Sequence, residues 1–243
     1  MDIHAVILAA GRGKRMQSDL PKVLHVLGGR PLLWHVLDQV KAAGIASATV
    51  VVSYKKELVQ ESVEAWSEAN SGLTINFADQ GEPKGTGHAL LSAEAAAPAG
   101  KDIAVCLGDV PGIQAKTLSG IYNEFKAQSP SALVVSMKLS DPKGYGRIVR
   151  SASGISAITE EKDASDEIRK IDEVNTGIFF FKGADLWPTL KKIQPQNAQG
   201  EYYLTDIVGI LLNDGKKVSA YLHPNANEFR GVNSQEDLNQ MAS

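Results

Sequence analysis

Cysteine is almost missing from this chain: Cys106 is the only one in 243 residues. A single thiol excludes an internal disulfide framework and a multi-cysteine metal site. It lies in the apolar run Ile103-Ala104-Val105-Cys106-Leu107, which reads as core with an inert thiol. A dominant charge is missing too. Lys and Arg number 25 against 28 Asp and Glu, for a formal net charge of −3, so there is no global basic footprint for nucleic acid. No apolar run approaches the length of a membrane span. After Met1 the chain enters a strand pattern directly, without a signal-peptide pattern. These absences set the expectation of a cytoplasmic protein whose partners are neither nucleic acid nor membrane. No internal repeat, low-complexity segment or Pro/Gly/Ser-rich linker interrupts the sequence, so a single domain is expected over residues 1–243. With 43% hydrophobic and 22% charged residues, the chain has the material for a full core.

Short apolar runs alternate with helical patterns through the first half. Strands are expected at Ile3–Leu8, Ala48–Ser53, Leu73–Ala78, Ile103–Leu107 and Ala132–Leu139, and helices near Pro31–Ala43, Lys56–Ala69, Gly87–Ala97 and Ala115–Ala127. After Pro31, Leu32, Leu33, Val36, Leu37 and Val40 fall on one face at helical spacing. This order predicts an α/β fold with a Rossmann-like, mainly parallel sheet covered by helices on both faces. In such sheets ligands bind at the carboxyl ends of the strands. The rule places the Leu8–Arg15 loop, the Gly108-Asp109 turn and the segment after Ala78 on one rim. The second half is less regular. Strands are expected entering at Gly144–Val149 and at Ile155–Thr159, Thr176–Phe181 and Val218–Leu222. Glu160–Glu173 reads as an exposed loop or short helix and Leu204–Leu212 as a helix. A last short helix begins at Ser234, with Asp237 in its first turn.

The segment Leu8-Ala9-Ala10-Gly11-Arg12-Gly13-Lys14-Arg15-Met16 carries the first chemistry. Glycines admit a ligand close to the backbone, and successive N–H groups there can form an anion nest. Arg12, Lys14, Arg15 and Lys22 add four positive charges within eleven residues. The loop fits neither common nucleotide fingerprint: position 16 is Met where a Rossmann loop needs glycine, and no Gly-Lys-Ser/Thr follows. A tight turn would explain the glycines but not the cations, so phosphate binding is the better reading. Asp109, after a buried strand and Gly108, reads equally as a turn cap or as a ligand for Mg²⁺, which takes one or two carboxylates plus substrate phosphates. Gln80, Gly85 and Thr86 sit in the glycine-rich stretch between a strand and a helix. Glutamine offers both donors and an acceptor to a pyrimidine edge, while the plainer reading is a flexible loop with Thr86 as helix cap. His88 has no nucleophile to pair with and reads as structural. Glu160 and Asn175, at strand ends, suit sugar hydroxyls or an amide, and Asn175-Thr176-Gly177 is also good turn chemistry.

Taken in order, L-A-A-G-x-G-x-R-M, S-D-L-P-K-V-L-H, G-T-G-H-A, G-D-V-P, G-Y-G-R-I, E-x-K-D-A, N-T-G-I, Q-G-E-Y-Y-L-T-D-I and G-V-N resemble the sugar-nucleotide pyrophosphorylases. Within that family the chain is most similar to the N-acetylglucosamine-1-phosphate uridylyltransferase domains of bifunctional bacterial enzymes. The resemblance runs from about Ile3 to Asn233, and the short spacing from Arg15 to Lys22 favours this branch over the thymidylyltransferases. The bifunctional members continue into a β-helix of hexapeptide repeats that transfers acetyl groups. These 243 residues carry no such repeats, so acetyl transfer is not expected of them. Residue 107 is Leu where relatives often carry an aromatic ring.

The resemblance implies a role for each matching position. Leu8, Ala9, Ala10 and Gly11 would hold the uridine and its phosphates through backbone groups. Arg15 and Lys22 would neutralise the triphosphate and the transition state. Gln80 and Gly85 would read the uracil, with Thr86 beside them. Asp109 and Asn233 would coordinate Mg²⁺. Gly146, Glu160 and Asn175 would hold the amino-sugar phosphate, with Tyr203 and Thr205 near the sugar. Residues 1–140 would then be mainly the nucleotide half and 141–233 the sugar half. The implied reaction joins UTP to N-acetylglucosamine 1-phosphate and releases pyrophosphate. It needs no dedicated general base, because a phosphate monoester is already mostly dianionic at neutral pH. Two alternatives stay open at this point: a pyrophosphorylase for another sugar phosphate or nucleotide, and a non-catalytic nucleotide-sugar-binding module.

Overall fold

Alternate side chains of the first strand point into different cores. In β1 (Ile3–Leu8), Ile3, Ala5 and Ile7 join one apolar cluster and Val6 the other. A strand buried on both faces must lie inside a sheet covered by two helical layers. The computed structural model describes residues 1–242 and has that form. After β1 come a small hairpin of β2 (Val26–Leu27) and β3 (Arg30–Pro31), then α1 (Leu32–Ala42), β4 (Ser47–Val52), α2 (Lys56–Ala69), β5 (Thr74–Asp79), α3 (Thr86–Ser92), β6 (Asp102–Leu107), α4 (Ala115–Gln128) and β7 (Ala132–Lys138). The second half adds β8 (Arg147–Ser151), β9 (Gly154–Thr159), α5 (Asp166–Arg169), β10 (Glu173–Phe181), α6 (Gly183–Leu190), α7 (Ile207–Asn213), β11 (Val218–Leu222) and α8 (Gln235–Ala242). Helices α1, α2 and α4 pack on one face through Val36, Trp66 and Phe125. Helices α3, α6 and α7 cover the other through Leu90, Leu186 and Val208.

The main sheet runs β11-β7-β10-β6-β1-β4-β5, with β8 and β9 branching from β10. Strand β1 pairs in parallel with β4 on one side and β6 on the other. The chain therefore moves outward through β4 and β5 and returns to start again at β6. The strand order reverses between β1 and β6, and the crevice beyond their carboxyl ends is where this class of sheet binds ligands. Leu8–Gly11 and Leu107–Asp109 lie at that crevice.

The sheet is more mixed than a run of β-α-β units predicts. Strand β10 inserts antiparallel between β6 and β7. It bulges against β7 between Asn175 and Phe179, at the Asn-Thr-Gly motif. There Gly177 has φ +81°. Its N–H donates to Asn175 Oδ1 at 3.0 Å, and Thr176 Oγ1 donates to the Val135 carbonyl at 2.8 Å. The bulge bends β10 and aims Asn175 toward the crevice.

Three further differences from the sequence reading are local. Helix α3 ends at Ser92, and Ala93–Ala97 continues as turns whose Ala96 carbonyl accepts from Thr49 and Asn76. The stretch from Leu204 divides into a 3₁₀ turn at Leu204–Asp206 and then α7. Helix α6, with Pro188 inside it, lies in a stretch for which the sequence reading names no element. Among the described residues, no helix is long and apolar enough to cross a membrane. Cys106 is fully buried, and burial pushes its thiol up to about 12, as an inert core cysteine requires.

Candidate active site

The crevice opens into a cavity of about 810 Å³. Its lining draws on both halves of the chain: Leu8, Ala10, Gly11, Lys22, Gln80, Gly85, Thr86 and Asp109 from the first, and Gly146, Glu160, Asn175 and Asn233 from the second. Arg12 and Lys14 line it as well. Ala9 packs into the core beneath.

Lys22 is the hub of one wall. It opens a 3₁₀ turn, Lys22–Leu24, and its stem crosses directly over Gly13. A Cβ on Gly13 would lie 2.8 Å from Lys22 Cβ, and Gly13 sits at φ +71°. The second glycine of the G-x-G is thus required twice, by backbone angle and by the passing lysine. The Lys22 ammonium forms an ion pair with Asp109 and donates to Asn233 Oδ1 at 3.1 Å. Asp109 and Asn233 are far apart in sequence, but the Val232 N–H donates to the Asp109 carbonyl at 2.9 Å. The Asn233 backbone is held in turn by Asp237 Oδ2 at 2.8 Å, in the first turn of α8. Asp237 N–H donates back to Ser234 Oγ at 3.2 Å, which completes a capping box at Ser234.

Asp109 and Asn233 present one carboxylate and one carboxamide oxygen to a common point, where the Lys22 ammonium now sits. Both are hard donors, and no group of three or more His, Cys, Asp or Glu that could hold a metal exists among the described residues. That set fits Mg²⁺, which keeps waters and takes substrate phosphate oxygens, and does not fit a soft-metal cage.

On the wall beyond the end of β5, Gln80 is almost fully buried. Its Nε2 donates to the Gly85 carbonyl at 3.1 Å and lies 3.3 Å from His88 Nδ1. His88 therefore contributes by orienting a glutamine. Thr86 does not cap its helix; Gly85 occupies the N-cap position. The Thr86 hydroxyl instead accepts from Leu204 N–H at 3.0 Å.

On the opposite wall, the Glu160 carboxylate stands beside Gly146, where a Cβ would lie 3.4 Å from both carboxylate oxygens. Burial raises the Glu160 pKa and the Thr205 hydroxyl, donating at 3.0 Å, opposes the rise. Asn175 N–H donates to the Gly146 carbonyl at 2.8 Å, so these residues are mutually fixed. Arg147 is fully buried behind them and reaches the Tyr145 carbonyl and Glu161.

Four expected positions stand outside the cavity lining, Ala9 in the core among them. Arg15 lies exposed on a 3₁₀ turn, Lys14–Met16, and Arg12 and Lys14 bring the loop's charge to the cavity in its place. Tyr203 is buried, with its hydroxyl accepting from Gln199. Thr205 is buried and reaches the cavity only through Glu160. Tyr54 and Glu201 are among the lining residues that the sequence reading did not name. Tyr54 lies under the Arg12 guanidinium, 5.0 Å from ring centre to Cζ, and Glu201 enters from the Q-G-E-Y-Y segment. The end of β4 belongs to the same rim as β1 and β6, so the rim rule could have found Tyr54.

Comparison with known proteins gives the chain's relatives. The chain is 42% identical to the bifunctional protein GlmU of Syntrophomonas wolfei over 241 residues, covering 99% of this chain and 52% of that protein. It is 44% identical to the bifunctional protein GlmU of Pelotomaculum thermopropionicum over 241 residues, covering 98% and 51%. The chain spans about half the length of the curated relatives it matches. Its fold is similar to that of a UDP-glucose pyrophosphorylase solved in complex with UDP-glucose, with a TM-score of 0.80 at 18% identity, covering 100% of this chain and 97% of the other. The family model of the MobA-like NTP transferase domain matches residues 5–175. The chain belongs to the MobA-like NTP transferase domain family.

Proposed function

We propose that this chain is a uridylyltransferase that joins UTP to N-acetylglucosamine 1-phosphate, giving UDP-N-acetylglucosamine and pyrophosphate. The observation that carries the reading is the meeting of Lys22, Asp109 and Asn233 on one wall of a cavity whose other wall holds Glu160 and Asn175. A cationic phosphate wall and a polar sugar wall share one space, as a two-substrate transfer requires. The GlmU relatives support the same reading.

In this reading the sugar phosphate oxygen attacks the α-phosphorus of UTP. A new P–O bond forms as the bond to the departing pyrophosphate breaks. The nucleophile's second pKa is about 6, so no protein base is needed. The harder task is bringing two polyanions together. Lys22 neutralises charge at the α-phosphate, and Arg12 and Lys14 at the cavity with Arg15 at its margin attract the triphosphate. Backbone groups of Leu8–Gly11 hold the nucleotide, with Gln80 and Gly85 on the uracil. Glu160, Asn175 and Gly146 take the amino sugar. Asp109 and Asn233 would hold Mg²⁺, which supplies further neutralisation of the phosphate charge. The remaining acceleration is positioning of the two reactants.

The test is pyrophosphate release from UTP with Mg²⁺ across sugar 1-phosphates with and without the N-acetyl group. N-acetylglucosamine 1-phosphate should be preferred over glucose 1-phosphate, because a site that hydrogen-bonds the amide rejects an analogue lacking it. Equal rates would remove the N-acetyl specificity, and no release with any of them would remove the activity.

A further inference from the structure

The two walls of the cavity are joined by a strap. Tyr202 N–H donates to the Lys84 carbonyl at 2.8 Å, and Gly87 N–H donates to the Tyr202 carbonyl at 2.8 Å. Leu204 N–H donates to Thr86 Oγ1 at 3.0 Å. Three bonds thus zip the 84–87 stretch, beside Gln80, onto the 202–204 stretch of the second half. The approach is too close for side chains. A Cβ on Gly85 would lie 2.6 Å from the Tyr202 carbonyl oxygen, and one on Gly87 3.0 Å from it. The strap does not stop there. At its near end the Gly85 carbonyl accepts from Gln80. At its far end the next residue, Thr205, donates to Glu160.

We propose that Thr86 is a positioning residue, whose hydroxyl holds the Glu201–Thr205 segment, and through it Glu160, in place against the loop that receives the nucleotide base. The inference rests on the reading that the Gln80 wall takes UTP and the Glu160 wall takes the sugar phosphate. Of the three bonds that form the strap, only the one to Thr86 uses a side chain, so it alone can be deleted without touching the backbone. A base seated at Gln80 and Gly85 stiffens the strap, and a stiffer strap lowers the cost of ordering Glu160 for the second substrate. By linkage, the sugar phosphate must tighten UTP by the same factor.

Amide hydrogen exchange reads this directly, since the Tyr202 and Leu204 amides are the donors in question. Adding UTP with Mg²⁺ to the wild-type protein should slow exchange in the Glu201–Thr205 segment several-fold. Thr86→Val should abolish that protection and Thr86→Ser should retain it. In steady-state kinetics, Thr86→Val should raise KM for N-acetylglucosamine 1-phosphate about tenfold, equivalent to about 1.4 kcal/mol. Should Thr86→Val fail to fold, Gly87→Ala, whose methyl presses on the Tyr202 carbonyl, should show the same loss of protection. UTP protection that survives in Thr86→Val, or the absence of any UTP effect on the segment in wild type, overturns the proposal. So does weakened UTP binding with an unchanged acceptor KM, which would make the hydroxyl a reader of the base. If the wild-type protein turns over no N-acetylglucosamine 1-phosphate, the functional reading fails, and the exchange experiment still decides the coupling.

Discussion

The Lys22 ammonium lies between Asp109 and Asn233, ion-paired to the carboxylate and 3.1 Å from the carboxamide oxygen. Its positive charge occupies the meeting point of the first half's G-D-V turn and the second half's G-V-N turn. The same lysine stem is tracked by Gly13 beneath it. One side chain therefore links the glycine-rich loop, the β6 terminus and the entry to α8.

Lys22→Ala should keep the fold and lose turnover. If the ammonium stabilises charge developing on the α-phosphate, the loss resembles that of one oxyanion donor, about 10²–10³-fold in kcat or about 2.7–4 kcal/mol. Steady-state pyrophosphate release alongside a thermal melt separates the two effects. A near-wild-type kcat would take Lys22 out of the chemistry.

Gly13→Ala tests how the lysine is placed. A non-glycine residue in the left-handed region costs about 1–2 kcal/mol, and the new methyl meets Lys22 Cβ. The variant should be less stable in urea unfolding and should also lose kcat, because Lys22 must move. Lost stability with unchanged kcat would show that Gly13 serves the turn alone.

The strand framework was legible because strands buried on both faces read as short, continuous apolar runs. Ile3–Leu8 is found as expected, and the rim rule alone places the Leu8–Arg15 loop, the Gly108-Asp109 turn and the segment after Ala78 together, as the cavity lining shows. Direction was not legible. Phe179-Phe180-Phe181 reads as a buried strand either way, and only its pairing with both β6 and β7 makes it antiparallel. The backbone role of the Leu8–Gly11 loop was legible in its glycines, but the backbone bonds between the 84–87 and 202–204 stretches were not. The Tyr202 strap has no side-chain signature except Thr86 and two glycines whose closeness is visible only in the fold. Arg15 stands exposed on the 3₁₀ turn Lys14–Met16, outside the cavity lining to which Arg12 and Lys14 contribute.

Arg147→Met should destabilise the sugar-side wall. The guanidinium is 2% exposed and pairs with Glu161, whose side chain is 30% exposed. Removing one partner of a buried pair costs about 3–5 kcal/mol, and Glu161 can turn to water, so the lower end is expected. Chemical denaturation measures the loss. An unchanged midpoint would mean that the Tyr145-Gly146 turn holds without its arginine.

Stability should fall in mild acid through His4. This residue is fully buried in β1, with Nδ1 2.8 Å from Ser47 Oγ and Nε2 2.9 Å from Thr49 Oγ1. The Thr49 hydroxyl donates to the Ala96 carbonyl, so it accepts from His4, and the ring proton resides on Nε2. Burial pushes the His4 pKa down to about 4, from an ordinary 6.5. Between those values the unfolded chain binds the extra proton. Stability due to this group is therefore complete above pH 6.5 and declines toward pH 4, by up to about 1.4 kcal/mol per unit. Urea midpoints at pH 7 and pH 5 should differ more for wild type than for His4→Gln. Equal differences would mean that His4 is not the group responsible.

The account stands on the sugar phosphate attacking the α-phosphorus of UTP inside the cavity that Lys22 and Glu160 share. The most direct measurement starts from N-acetylglucosamine 1-phosphate labelled with ¹⁸O in its phosphate, reacts it with unlabelled UTP and Mg²⁺, and follows the products by mass spectrometry. The predicted result is UDP-N-acetylglucosamine that retains all of the label and pyrophosphate that carries none. Label in the pyrophosphate, or no nucleotide sugar at all, would contradict it.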